Sequence, residues 1–245
     1  MRIVGLLGGL SWESSLEYYR VFNEAGRRRL GGCHSGRCLL QSLDFGEIEK
    51  LVRAGRRAEI GEIMLAGARG LERAGAELLV ICSNTSHFWV RQMAEGVGIP
   101  LLDIVDVTAR AARELGIARV GLIGTRYTME EDFYTGRLVE QGFEVLTPDY
   151  DDRVLIDRVI FDELVRGRFL EGSRAAYVEI IERLARRGAQ GVVLGCTEIE
   201  LLVRADLVAD RVSIPLLPTT KLHAEAAFDW SVGEYPLVPG PLVAR

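Results

Sequence analysis

The sequence predicts an α/β protein of two similar domains, each a four-stranded parallel sheet flanked by helices. Three observations carry this. Continuous apolar runs alternate with helix-period segments along the whole chain, the pattern of parallel strands covered on both faces. The two halves echo each other at an offset of roughly 113 to 116 residues, a repeat length that itself marks duplication. Several of the apolar runs also stop abruptly in small polar residues, as Val80-Ile81-Cys82-Ser83-Asn84-Thr85 and Leu194-Gly195-Cys196-Thr197 do.

The candidate strands are Arg2–Leu7, Cys38–Leu43, Glu77–Cys82 and Pro100–Ile104 in the first half. In the second half they are Arg119–Ile123, Phe143–Leu146, Gln190–Leu194 and Ile214–Leu217. Helix-period segments lie between them at Ser14–Arg29, Ala58–Arg73, Thr128–Gln141, Asp151–Arg166 and Ser173–Arg187. The echoes are local and specific. Val4-Gly5-Leu6-Leu7-Gly8 resembles Val120-Gly121-Leu122-Ile123-Gly124, and Ile99-Pro100-Leu101-Leu102 resembles Ile214-Pro215-Leu216-Leu217, each followed by an Ala-rich helical stretch. Residues 1–103 with 218–232 are expected to form the first domain, 104–217 the second, and 233–245 an irregular tail, with the last helices exchanged between domains. Ligands of parallel sheets bind beyond the carboxyl ends of the strands. Two domains related by a pseudo-twofold would thus place the loops Gly8–Trp12, Cys82–His87, Gly124–Met129 and Gly195–Ile199 around one cleft.

The composition excludes several classes. Apolar residues make up 48%, charged residues 27%, and the net charge is −5, which gives no basic stripe for nucleic acid. No apolar run reaches the roughly 18 to 20 residues of a membrane span, and no secretory leader pattern opens the chain. A cytoplasmic location is expected. Lys50 and Lys221 are the only lysines, and neither follows a strand end with a phosphate-cradling loop, which argues against a pyridoxal Schiff base. Gly5-Leu6-Leu7-Gly8-Gly9 lacks the dinucleotide spacing. Cys33, His34 and Cys38 match no zinc pattern, so no metal is expected, and Cys38 reads as the opening of a strand. The cysteines read as free thiols.

Cys82 and Cys196 each stand at a strand end and are followed by hydroxyl residues. One such cysteine reads as an inert core thiol. Two in a duplicated unit point to chemistry, because a thiolate is both base and nucleophile. His87 either activates Cys82 or fills a structural place in the following helix. His34 and His223 have no motif around them.

Taken in order, Gly-Leu-Leu-Gly-Gly-Leu-Ser-Trp-Glu-Ser at 5 to 14, Cys-Ser-Asn-Thr-Ser-His at 82 to 87, Gly-Thr-Arg-Tyr-Thr-Met at 124 to 129 and Gly-Cys-Thr-Glu-Ile at 195 to 199 resemble the aspartate/glutamate racemase family. The resemblance runs from residue 1 to about 230 and is nearest to its broad-specificity or L-aspartate/glutamate-specific subgroup. It implies cofactor-independent racemisation of a small amino acid, with the site between two α/β domains in a homodimer. Such chemistry explains the duplication, since inversion needs acid/base groups on both faces of a planar carbanion. The substrate carboxylate needs donors, for which Asn84, Thr85, Thr197, the backbone N–H groups around them and the loop near Leu10 are the candidates; Thr125 and Glu198 complete the expected substrate-binding residues.

In most of that family cysteine directly precedes Asn-Thr. Here Ser83 holds the place, and Cys82 lies one residue earlier. Aligning Gly75-Ala76-Glu77 with Gly188-Ala189-Gln190 without gaps pairs Ser83 with Cys196 and Cys82 with Gly195. Since strand side chains alternate faces, Ser83 and Cys196 are the expected catalytic pair, with Cys196 the readier thiolate and the two half-reactions unequal. Related chemistries stay open: single-cysteine decarboxylation, maleate isomerisation, hydantoin racemisation, or amino-acid binding without catalysis. Arg53, Arg126 and Arg166 are the basic groups considered for a side-chain carboxylate.

Overall fold

The computed structural model describes residues 1–237. It contains two four-stranded parallel sheets flanked by helices. The first has β1 (Val4–Gly8), β2 (Cys38–Ser42), β3 (Leu78–Ile81) and β4 (Leu101–Leu102) in the order β2-β1-β3-β4; the second has β5 (Arg119–Gly124), β6 (Glu144–Leu146), β7 (Gly191–Gly195) and β8 (Leu216–Pro218) in the order β6-β5-β7-β8. All eight expected strands form. The central strands β1, β3 and β7 are buried along their whole lengths, which is why they read as continuous apolar runs rather than alternating ones.

The helices of the first sheet are α1 (Trp12–Leu30), α2 (Phe45–Arg53), α3 (Arg57–Arg73) and α4 (Val90–Gly96), with a 3₁₀ turn over Thr85–Trp89 before α4. α5 (Ile104–Glu114) leads to the second sheet, followed by α6 (Arg126–Glu130), α7 (Asp132–Glu140), α8 (Tyr150–Asp162) and α9 (Glu171–Arg186). α10 (Thr197–Leu202), α11 (Ala205–Val208) and α12 (Thr219–Ser231) complete the described order. α1 starts where Ser11 Oγ accepts the Ser14 N–H at 3.3 Å and stops at Gly31 with φ +72°, a capped start and a glycine stop. Glu13 lies in its first turn and Arg27, Arg28 and Arg29 in its last, which suits the helix dipole. α3 presents Ile60, Met64, Ala68 and Leu71 to a core shared with Leu7, Leu79, Ile81 and Met93. In the second sheet Ile123, Val192, Leu194 and Cys196 pack with Ile156, Ile160, Tyr177, Ile181 and Leu184 from α8 and α9.

Two helices expected as single segments are interrupted. The segment Thr128–Gln141 is two helices, broken at Glu131, whose φ −97°, ψ 150° is extended. The segment Asp151–Arg166 ends at Asp162 and closes with a 3₁₀ turn over Leu164–Arg166 and left-handed Gly167.

The contacts divide the chain into a unit of Met1–Ile104 with the segment from His223 onward, and a unit of Val105–Leu222. The second crossing falls at 222/223, later than the expected 217/218, because the first turn of α12 is bonded to β7 and α10: Thr219 Oγ1 donates to Leu194 O at 2.8 Å and the Thr220 N–H to Glu200 at 2.6 Å. The tail expected over 233–245 carries no helix or strand through residue 237; the Val238–Pro241 stretch lies outside the described residues.

The internal repeat is visible in the hydrogen bonds of each unit. Ala76 N–H donates to Leu71 O and Ala189 N–H to Leu184 O; Glu77 N–H donates to Ile3 O and Gln190 N–H to Arg119 O. Gly75 and Gly188 have φ +97° and +96°. In register, Leu7 pairs with Ile81 as Ile123 pairs with Leu194.

Gly9 fixes the first loop. It has φ +78°, and a Cβ there would stand 2.1 and 2.2 Å from Leu43 backbone O and N, positions held by the Leu43 N–H donating to Gly8 O at 2.9 Å. Neither backbone partner can yield as a flexible side chain could. Gly9→Ala is expected to cost about 3 kcal/mol, within the range for strained backbone and overpacking combined, measured as a drop in the urea midpoint at unchanged m-value.

Candidate active site

Two strand-end turns carry the candidate residues, one in each unit. In the first, the ladder runs to Cys82, whose N–H donates to Leu7 O at 2.9 Å. Ser83 follows, half-buried, and the 3₁₀ turn starts two residues on. Ser83 Oγ accepts the Ser86 N–H at 3.3 Å, so a donor is already aimed at the oxygen where charge develops if Ser83 gives up its proton. In the second unit β7 ends at Gly195, and Cys196 is the extended N-cap of α10, its carbonyl accepting the Ile199 N–H at 3.1 Å.

The registers fix which residues correspond. Gly5 pairs with Leu79 and Gly121 with Val192. Counting four along the chain from each places Ser83 opposite Cys196 in the repeat, and Cys82 opposite Gly195. Cys82 is fully buried, and burial pushes its thiol well above the ordinary cysteine range. It packs at the strand end, and His87 is committed elsewhere. His87 Nδ1 lies 2.7 Å from Ser83 O, which can only accept, so Nδ1 carries the hydrogen; Nε2 then accepts the Ile104 N–H at 3.3 Å. Both ring nitrogens are engaged, and the reading of His87 as an activator of Cys82 gives way to a structural one.

Cys196 differs from its expected state. It is 8% exposed, and its Sγ donates to Glu198 Oε2 at 3.0 Å. Burial first, then the Glu198 charge and hydrogen bond, push the thiol well above its ordinary range. The resting group is therefore a thiol held by a carboxylate rather than a preformed thiolate. A low-dielectric site disfavours a second negative charge beside Glu198, so the proton leaves the sulfur only when a base takes it.

The other candidate binding residues surround the strand ends of their own units. Asn84 and Leu10 are buried in the first, Thr85 is half-buried there, and Thr125, Thr197 and Glu198 are buried in the second. Thr125 caps α6, its Oγ1 accepting the Thr128 N–H at 3.3 Å. Arg53 pairs with Glu49 at 2.6 Å and Arg126 with Glu130 at 3.1 Å on exposed helix faces, and Arg166 is exposed at a helix end. Among the described residues no three His, Cys, Asp or Glu side chains are grouped to hold a metal, and no helix is long and apolar enough to cross a membrane.

Two acidic roles escaped the sequence reading. Glu198 was expected to face substrate, and it also holds the Cys196 thiol. Glu200 is buried, accepts the Thr220 N–H at 2.6 Å and lies 3.2 Å from the Thr219 hydroxyl, whose proton is shared with Leu194 O. Burial raises its carboxyl to about 8 against the opposing pull of those donors. The visible signal was an acid inside a run, Val192–Leu202, whose neighbours are nearly all apolar. Because the folded value exceeds the unfolded one, Glu200's contribution to stability is fully present below the ordinary carboxyl pKa and is lost as pH rises through about 8. Melting temperature is expected to fall between pH 5 and pH 9 with a slope that Glu200→Gln reduces; equal slopes in the two proteins would contradict it.

Comparisons with known proteins bear on the family and the fold. The structure of a candidate Asp/Glu racemase from Yersinia pestis is 45% identical and superposes with a TM-score of 0.87, covering 95% of this chain and all of that one. An aspartate racemase homologue from Pyrococcus horikoshii OT3 is 29% identical with a TM-score of 0.81 over 95% of this chain and all of its own. Among curated relatives, a glutamate racemase of Thermus thermophilus is 29% identical over 63% of this chain but only 55% of its own length. The broad-specificity amino-acid racemase RacX of Bacillus subtilis is 20% identical over 59% of this chain and 62% of its own. The Asp/Glu/hydantoin racemase family matches residues 7–227, and with that span the chain belongs to the Asp/Glu/hydantoin racemase family.

Proposed function

We infer that this protein is an amino-acid racemase acting on aspartate, glutamate or a close analogue, without pyridoxal phosphate or metal. The observation that carries the reading is the registered equivalence of Ser83 and Cys196: two related units each place a proton-bearing side chain at the same step past the same strand. Inversion at a tetrahedral carbon asks for one such group per face of the carbanion, and duplication supplies two.

In this mechanism Cys196 passes its proton to Glu198 and takes the α-proton of one enantiomer. Ser83 donates its hydroxyl proton to the opposite face, with the Ser86 N–H supporting the oxygen it leaves charged. The reverse reaction runs through the same groups with the roles exchanged. The ordinary pKa of a serine hydroxyl lies far above that of a thiol, so removal by Ser83 is the harder half. Asn84, Thr85, Thr125, Thr197 and the backbone around Leu10 hold the amino acid, their donors offsetting the charge that builds on its carboxylate.

A second reading rests on the same register. Cys196 is the one thiol at that step, since Cys82 is set back, and a single nucleophilic cysteine suits decarboxylation or isomerisation within the same superfamily. One assay separates the two. Each L- and D-amino acid is incubated in deuterium oxide with protein dialysed against chelator and lacking pyridoxal phosphate. A racemase yields the opposite enantiomer carrying α-deuterium. Dependence on added cofactor or metal would overturn the proposal, and carbon dioxide release from a malonate without inversion would favour the second reading.

A further inference from the structure

We propose that His87 and Glu200 are a matched pair of positioning residues, each tying the turn that carries a proton-transfer group to the start of the helix by which the chain leaves that unit. The proposal rests on the racemase reading above and deepens it.

The correspondence is positional first. His87 stands four residues after Ser83, and Glu200 four after Cys196. With Ser83 and Cys196 in register, His87 and Glu200 occupy the same place in the repeat. Their chemistry differs, yet both do one job. His87 is 1% exposed and accepts the Ile104 N–H at 3.3 Å, at the first residue of α5. Glu200 is 9% exposed and accepts the Thr220 N–H at 2.6 Å, in the first turn of α12. Helix starts carry N–H groups without intrahelical partners. Here a buried side chain reaching back from the strand-end turn accepts one such N–H at each helix start.

Both strand ends are gripped as well, by His87 itself on one side and by Thr219, next to Glu200, on the other. His87 Nδ1 donates to Ser83 O at 2.7 Å, which fixes the peptide plane after Ser83 and so the direction in which its Cα–Cβ bond points. On the other side Thr219 Oγ1 lies 3.2 Å from Glu200 and donates at 2.8 Å to Leu194 O, two residues before Cys196. The His87 strut has a further brace. His223 Nε2 donates to Leu102 O at 3.0 Å, its Nδ1 accepts the Tyr18 hydroxyl at 2.9 Å, and its ring meets His87 edge-on at 5.8 Å. Burial, with the neighbouring His87, holds His223 down at about 3, so this brace stays neutral and its hydrogen-bond direction does not reverse in ordinary buffers.

Since each strut serves one proton-transfer group, each should be needed for one half of the reaction. A β-chloro substrate reads the halves singly: when a base takes the α-proton the C–Cl bond breaks, chloride leaves with the electron pair, and no second proton transfer is needed. The D and L forms of 3-chloroaspartate and 3-chloroglutamate serve as probes, with chloride release measured for wild type, Ser83→Ala, His87→Ala, His87→Asn, Glu200→Ala and Glu200→Gln. His87→Ala should slow release from the enantiomer that Ser83→Ala loses, by about tenfold or more as expected for a misplaced group, and leave the other within about twofold. Glu200→Ala should show the opposite preference. His87→Asn, which keeps a donor for Ser83 O, and Glu200→Gln, which keeps an acceptor for the Thr220 N–H, should recover most of each loss. Should the alanine proteins fail to fold, the two conservative variants must still show smaller deficits of the same opposite sense. Equal losses on both enantiomers in the folded variants overturn the proposal. A wild type that releases chloride from neither enantiomer and inverts no amino acid overturns instead the racemase reading beneath it.

Discussion

Replacing Cys196 with alanine is expected to lower inversion by at least about 10²-fold, the scale of a general acid–base group. The expectation follows from where the thiol sits. It caps α10, lies within a run buried from residue 191 to 200, and already donates to Glu198. Cys196→Ser is a sharper version of the same test, because it keeps a donor for Glu198 but raises the acidity barrier; it should resemble alanine in turnover. Stereochemical assays by chiral chromatography with parallel melting curves check both. Near-wild-type inversion by Cys196→Ala would remove this residue from the mechanism.

The second large effect concerns the neighbouring pair Cys82 and Ser83. Ser83→Ala is expected to abolish inversion while Cys196 still labilises one enantiomer, visible as α-deuterium wash-in or chloride release without inversion. The enantiomers have equal free energy, so kcat/KM for inversion falls by the same factor in both directions; the asymmetry shows only in these half-reactions. Cys82→Ala should cost about 1 kcal/mol, ordinary for trimming a small buried side chain, and leave turnover largely intact. Ser83→Cys, which restores the thiol usual before Asn-Thr in the family it resembles, should bring the two kcat values closer together. If Cys82→Ala stopped turnover and Ser83→Ala did not, the first acid/base group would be Cys82.

The strands were legible because both faces of each sheet are covered. Val4–Gly8, Leu78–Ile81 and Gly191–Gly195 need apolar side chains on every residue, and that signal survives without any tertiary information. Short helices were not. α2, α4, α10 and α11 span four to nine residues, too few turns to establish a period. The break at Glu131 is likewise invisible, since the residues on either side keep the helical pattern. The repeat made the equivalence of Ser83 with Cys196, rather than of Cys82, readable, because a one-residue shift exchanges the faces of a strand. What the sequence withheld was electrostatic. Glu198 sits two residues from Cys196, but whether its carboxylate reaches the thiol depends on rotamers that no spacing encodes. His87 illustrates the same limit. A histidine five residues after a cysteine suggests a catalytic couple, and only the positions of Ser83 O and Ile104 N show that its ring is used for architecture.

The division of the chain has a consequence for its synthesis. The unit Val105–Leu222 is one continuous stretch, whereas the first unit is built from two pieces with those 118 residues between them. Its closing contacts are far apart in sequence: the Tyr18 hydroxyl meets His223 across 205 positions, Phe22 packs edge-on against Phe228, and the Arg2 N–H reaches Ser231 O. A ribosome adding roughly 5–20 residues per second needs on the order of 6–24 s to pass from residue 104 to residue 223. Throughout that interval the first sheet has emerged without the helix that seats Tyr18 and Phe22, while the second unit can already be complete. The nascent N-terminal segment therefore waits with an apolar flank uncovered, the state most open to aggregation and to chaperone capture. A premature stop shortly before residue 223 would release a protein with one finished unit and one that cannot close.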